Sequence, residues 1–244
     1  WSSDVCSSDL TQAAEVTNDY GVIISPADGT HNYYKRAGKA IYYKSWSYAT
    51  VDQTGRVEIV ECEDGTVYVK DIISRYEGGS WVKGTKVDNT ISIAPGQVVA
   101  VEEDDWGYTY TYKLAWGTGE EDFWGDMDYS IDNSTTNITF TVDGDKITLN
   151  GTSEEKCIGI FYSSSSNWNL ETADYSTVWT LDADYQPAST DLVKAPAGLE
   201  TATWYATGAA GNSAFKRSVT VGFDGSDVYV QGLFSDFAEA WIKG

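Results

Sequence analysis

Apolar and polar residues alternate at period two along most of this chain, the pattern of strands with one buried face. Val67 and Val69 alternate with Thr66, Tyr68 and Lys70, and Tyr108, Tyr110 and Tyr112 oppose Thr109, Thr111 and Lys113. Ile158–Tyr162 and Thr177–Leu181 supply two further strands. Asp143-Gly144, between Thr139/Thr141 and Ile147/Leu149, marks a hairpin, because Gly accepts the positive φ of a tight turn. Asp88-Asn89 and Asp224-Gly225 signal other turns. A sustained 3.6-residue period is missing, and only short helical turns are expected, near 71–75 and 236–240. The pattern predicts an all-β, antiparallel meander of about ten strands over roughly 160 residues, built as an open barrel or a two-sheet sandwich.

A second regularity overlies the first. Val57–Val69 is similar to Ser218–Val230, and each reaches a Trp-x-Lys-Gly tetrapeptide, Trp81–Gly84 or Trp241–Gly244. Gly65 to Trp81 and Gly225 to Trp241 are both 16 residues. Pro26-Ala27 and Pro196-Ala197 extend the likeness at an offset of 170 rather than 160, so the first copy carries a longer insert. Two prolines and small residues over 183–200 read as a linker, which places a first β unit at 11–186 and a second copy at 187–244. The second copy stops at its tetrapeptide, whereas the first runs on, so the chain is expected to be cut there. Residues 1–10 resemble a translated sequencing-library adapter and are expected not to be native.

Asp64–Tyr76 with Trp81–Gly84, and Val221–Phe234 with Ala240–Gly244, resemble the repeats of large β-rich proteins of gut Bacteroidota. The likeness covers most of 20–244 and implies export to the cell surface or beyond. That family brings no activity or catalytic motif with it.

Charge narrows the partners. Sixteen basic residues against 37 acidic give −21, and removing Asp4 and Asp9 leaves −19. Such a field repels phosphate backbones, so nucleic acid is excluded as a partner. No apolar run is long enough to span a membrane as a helix. Hydrophobic residues make up 41% of the chain, enough for a core, with ten Trp and 17 Tyr among them. His31, the one histidine, reads as a loop residue and cannot supply a multi-histidine metal site. Cys62 and Cys157 lack metal spacing and read either as two small buried thiols or, in an exported protein, as a pair.

The densest candidate chemistry lies in Glu102–Tyr108 and Gly119–Tyr129, where carboxylates flank tryptophans. A flat ring stacks on the apolar face of a pyranose while acids accept hydroxyl protons. Trp106, Trp124 and Trp168, in loop-like contexts, are the candidate ligand-binding residues. The competing reading makes these stretches solvated loops whose rings pack inward. Trp81, Trp116, Trp179 and Trp241 lie in strand-like contexts and are assigned to the core, with Trp-x-Lys-Gly a packing element. Calcium has two-carboxylate fragments such as Asp126-Met-Asp128 but no acidic loop of the required density, and no metal or cofactor is assigned. Catalytic residues are not assigned either: a Gly-x-Ser-x-Gly elbow is missing and no acid/base motif stands out among the carboxylates. The sequence therefore points to a non-enzymatic, exported or cell-surface β-repeat protein that binds glycan or a host or cell-surface protein. A ligand-free spacer and an accessory domain of a glycoside hydrolase are the alternatives. The oligomeric state stays open.

Overall fold

The computed structural model describes residues 13–76, 79–187, 193–210, 213–233 and 240–244. The adapter-like residues 1–10 and all but the last residue of the turn expected at 236–240 lie outside them. Among the described residues there is no helix, every strand pairing is antiparallel, and the chain divides between Tyr185 and Gln186 into two compact units.

The first unit begins with β1 (Val16–Thr17), β2 (Ile23–Ser25), β3 (Thr30–Lys44), β4 (Ser47–Asp52) and β5 (Arg56–Glu61). There follow β6 (Thr66–Lys70), β7 (Trp81–Val87), β8 (Thr90–Ile93), β9 (Val98–Glu103) and β10 (Thr109–Glu121). It ends with β11 (Met127–Asp132), β12 (Ile138–Asp143), β13 (Lys146–Leu149), β14 (Lys156–Ser163) and β15 (Asn169–Leu181). Eight of these close a ring, in the order β15-β13-β12-β8-β7-β6-β5-β3, with β3 returning to β15. The expected open barrel or sandwich is thus a closed barrel with additional strands.

Closure depends on the two long strands. Tyr34–Ala37 pairs with Leu181–Val178 inside the ring, and Lys39–Tyr42 continues against Tyr175–Thr172 outside it. Between these halves the register slips at Ser176–Thr177, opposite Gly38. Such a bulge bends both strands, and beyond it β15 recruits β14, then β10 with β9 and β11, while β3 recruits β4. β4 and β11 then meet through side chains, Tyr48 and Tyr129 lying edge to face at 5.1 Å.

Period-two alternation fills the barrel. Val57, Ile59, Val67, Val69, Ile91 and Ile93 face inward, with Phe140 and Trp179 stacked at 4.6 Å. Trp81 and Trp116 are buried as assigned, whereas Trp241 is half-buried. A second core forms on the extension around Ile41, Cys157, Phe161 and Leu170. β1 and β2 cover the outside of the barrel, where Ile23 joins Val60, Tyr68 and Trp81.

Two local expectations are corrected. Residues 71–75 form a turn rather than a helical one: Asp71 and Arg75 have positive φ (50° and 64°), which breaks helical geometry, while Ile72 and Ile73 enter the barrel core. His31 lies in β3 rather than in a loop, exposed, with Nδ1 2.7 Å from Glu58.

The second unit is a four-stranded meander, β16 (Thr201–Ala210), β17 (Ser213–Asp224), β18 (Asp227–Gln231) and β19 (Trp241–Lys243). Its registers coincide with those of the first unit. Tyr229 pairs with Lys243 and Gln231 with Trp241, as Tyr68 pairs with Lys83 and Lys70 with Trp81. Trp204 faces Val219 as Tyr34 faces Val57. The chain takes 15 positions to travel from Trp204 to Val219 but 23 from Tyr34 to Val57. The surplus falls in the outer half of β3 and in β4, outside the barrel.

Candidate functional site

Large rings stand in water at three hairpin ends of the first unit. Trp106 is 85% exposed, Trp124 83% and Phe123 91%, and Trp46, in the β3–β4 turn, 92%. The turns that carry them have a common construction. Asp104 Oδ1 accepts from the amides of Trp106 and Tyr108 (both 2.9 Å), and Gly107 N donates to Asp104 O. Asp122 Oδ1 accepts from Trp124 and Asp126 (2.8 and 2.9 Å), and Gly125 N donates to Asp122 O. Asn18-Asp19-Tyr20-Gly21 repeats the same bonds, with Tyr20 63% exposed. In each the fourth residue is a Gly at φ between 77° and 86°.

This Asx-x-aromatic-Gly turn explains two of its residues. The Asx side chain caps the amides and Gly supplies the left-handed backbone. Nothing in it demands a ring at the third position. Cys62-Glu63-Asp64-Gly65 makes the same main-chain bond, Gly65 N donating to Cys62 O, and carries Asp64 in that place. The aromatic residues are therefore surplus to the turn.

Trp46 is held differently. Ser45 and Trp46 are the two central residues of a tight hairpin and both have positive φ, 53° and 78°. Such a turn favours Asn-Gly, so a Trp there is strained, and strain of this kind persists where surrounding structure or function requires it.

Of the three predicted ligand-binding residues, Trp106 and Trp124 sit at opposite ends of β10, which at about 3.3 Å per residue separates them by roughly 40 Å. Trp168 is half-buried on the second core, with Lys113 Nζ 3.8 Å over its ring. The three do not form one site. Sequence reasoning missed Trp46 and Phe123, although the two-residue gap between Lys44 and Ser47 was a readable signal. Ser47 Oγ lies 3.3 Å from Asp126 Oδ1, joining the β3–β4 and β10–β11 hairpins. By chain connectivity this places Trp46 within about 20 Å of Trp124.

A groove of about 500 Å³ opens on the extension, walled by Tyr42, Tyr43, Tyr48 and Tyr162, with Arg75, Asn169 and Glu171 also lining it. Arg75 is exposed and lies 4.0 Å over the Tyr42 ring. Behind Tyr162, Tyr112 stacks at 5.5 Å, and Tyr76 packs on Tyr112 at 6.0 Å. Burial, aided by Glu102, pushes the Tyr112 hydroxyl up to about 12, so it is a donor at every physiological pH. Crowding by protein and the neighbouring Glu102 both raise the pKa of Glu171.

Beneath the groove, a buried polar cluster fixes the 71–76 segment that supplies Arg75 and Tyr76. Asp174 accepts from Ser74 N (2.7 Å) and Ser74 Oγ (2.5 Å). Arg36 donates to the carbonyls of Arg56, Ile72 and Asp71 and stands 3.9 Å from Asp174. Desolvation outweighs the Ser74 bonds and the Arg36 charge, and Asp174 is pushed up to about 7.

The two remaining candidate chemistries are reactive thiols and a metal. Cys62 and Cys157 are unpaired, in separate cores. Among the described residues no three His, Cys, Asp or Glu side chains gather as a metal-ligand set. Comparisons with protein-family models, with curated proteins and with solved structures return no match to this chain.

Proposed function

We propose that this chain is a non-enzymatic adhesion module of an exported or cell-surface β-repeat protein, and that it contacts glycan through rings carried at its hairpin ends. The observation that carries the reading is the Asx-x-aromatic-Gly turn, made three times with its ring in water. Burying a ring of about 200 Å² would contribute several kcal/mol, so rigid turns that keep such rings exposed need a reason outside folding. A pyranose supplies one, because its apolar face covers the ring and its hydroxyls donate to carboxylates such as Asp105, Glu121 and Asp126 nearby. A net charge of −21 argues against nucleic acid and against anionic surfaces.

Coinciding strand registers in the two units support a repeat architecture, and the resemblance to exported repeat proteins supports a location outside the cell. A ligand-free spacer has no use for Trp106 and Trp124 in water. A glycan array probed with the intact chain tests the proposal. Binding that falls at least tenfold in Trp106→Ala and Trp124→Ala is the expected result. A folded chain that binds no polysaccharide and no host surface overturns it.

A further inference from the structure

The geometry points to a second, built saccharide site: the Tyr42–Tyr43–Tyr48–Tyr162 groove, which we infer takes a segment of an uncharged hexose polymer. This inference rests on the glycan-binding reading and adds to it a location and a ligand class. Its volume of about 500 Å³ lies within the usual range for small-ligand sites, roughly 300–1,000 Å³.

The lining selects the ligand. Four tyrosines line it with aromatic rings and phenolic hydroxyls, which suit a molecule with apolar faces and a polar perimeter better than a lipid or a drug-like apolar ring. Arg75 brings donors, Glu171 an acceptor and Asn169 both. A sugar hydroxyl both donates and accepts, so this mixed set can satisfy several in a row, whereas a phosphate or carboxylate would leave the acceptors opposed. Glu171 with Glu102 behind it, in a chain of strongly negative charge, repels uronic acids and sulfated sugars. The cation among its described lining residues, Arg75, lies over the Tyr42 ring.

The site is also rigid. Leu170 and Thr172 are buried under it, and Thr172 Oγ1 donates to Ile41 O at 2.9 Å. The segment bearing Arg75 is tied through Ser74 to Asp174. Tyr42, Tyr43 and Tyr48 belong to the outer β3–β4 hairpin, where the first unit takes 23 positions from Tyr34 to Val57 against 15 from Trp204 to Val219 in the second.

Affinity electrophoresis of the full chain in native gels cast with mixed-linkage β-glucan, xyloglucan, galactomannan or polygalacturonate tests the inference. Expected is retardation in at least one uncharged polymer and none in polygalacturonate, with the apparent affinity reduced at least tenfold in Tyr43→Ala or Glu171→Gln. Both positions are exposed, so neither change threatens folding, which near-UV circular dichroism checks. Retardation in polygalacturonate, or wild-type affinity in both variants, overturns the groove. If loss is confined to Trp106→Ala and Trp124→Ala, the groove fails and the hairpin-end reading stands. If no polymer retards the chain, the groove inference is overturned together with its carbohydrate premise.

Discussion

Gly38 of β3 passes so close to Ser176 of β15 that a Cβ on residue 38 would lie 2.8 Å from the Ser176 carbonyl oxygen and 2.9 Å from Thr177 Cα. Gly38 also has φ +138°. Here the two strands leave the barrel and begin the extension, so the contact underlies both the closed ring and the groove. Gly38→Ala is expected to destabilise the first unit by about 2 kcal/mol or more, combining backbone strain with a clash against main chain. Urea denaturation measures this. Gly144→Ala, at φ +56° in a hairpin turn with open space around it, is the control and should cost about 1 kcal/mol. Equal effects at both positions would remove the steric argument.

The Asp174–Ser74 pair predicts a pH dependence. Burial raises Asp174 in the folded state to about 7, from the ordinary carboxylate value of 3.8. Between these values the folded state holds a proton that the unfolded state has released, so stability rises as pH falls. The facing groups are Ser74 on the turn, Arg36 on β3 and Cys157 on β14. The urea midpoint should rise from pH 8 to pH 5, by the equivalent of a few kcal/mol if this group acts alone. Asp174→Asn should flatten most of that slope. Asp182, held low by Lys35 and Arg56, has the opposite sign: its contribution is lost as pH falls below the ordinary carboxylate range. A midpoint that is level from pH 8 to pH 5 in the wild type contradicts the argument.

Ring position should separate stability from binding. Trp179, fully buried against Phe140, is expected to lose about 3–5 kcal/mol on replacement by Ala. Trp124→Ala should stay within about 0.5 kcal/mol of wild type. Trp46→Gly should be neutral or more stable, by up to about 1 kcal/mol, because Gly relieves the positive φ. Thermal melts of the three variants read the order directly, and a destabilised Trp46→Gly would show that the ring packs on something.

Thiol chemistry should follow burial. Cys157 is buried, with its pKa pushed up to about 12, whereas Cys62 is half-buried. In a Cys6→Ser background at pH 8, Ellman's reagent is expected to label Cys62 slowly and Cys157 only on unfolding. A Cys157 that reacts in the native state would contradict the closed second core.

Local pairing is legible in the amino-acid order. Asp143-Gly144 makes its hairpin, and Val-Tyr-Val meets Trp-x-Lys-Gly within about twenty residues, where turn chemistry and period two fix register. The burial of Trp81, Trp116 and Trp179 followed from strand context. The recurring Asx-x-aromatic-Gly turn is equally readable in the sequence, at Asn18–Gly21, Asp104–Gly107 and Asp122–Gly125.

Ring closure was not legible, because Tyr34 and Leu181 are brought together from opposite ends of the unit and no local pattern encodes such a pairing. Residues 71–75 carry a helix-like spacing, yet Arg36 and Asp174 claim their backbone groups and impose a turn. Trp168 reads as a loop residue until Lys113, two strands away, is found over its ring. The groove draws on β3, β4, the 71–76 turn, β14 and β15, none of which marks itself as a site. The amino-acid order by itself determined strand faces, hairpins and the likeness of the two units, since these depend on neighbours a few positions apart. Tertiary structure alone decided closure, the bulge at Gly38 and the gathering of the tyrosines, since these depend on which distant strands share a bend.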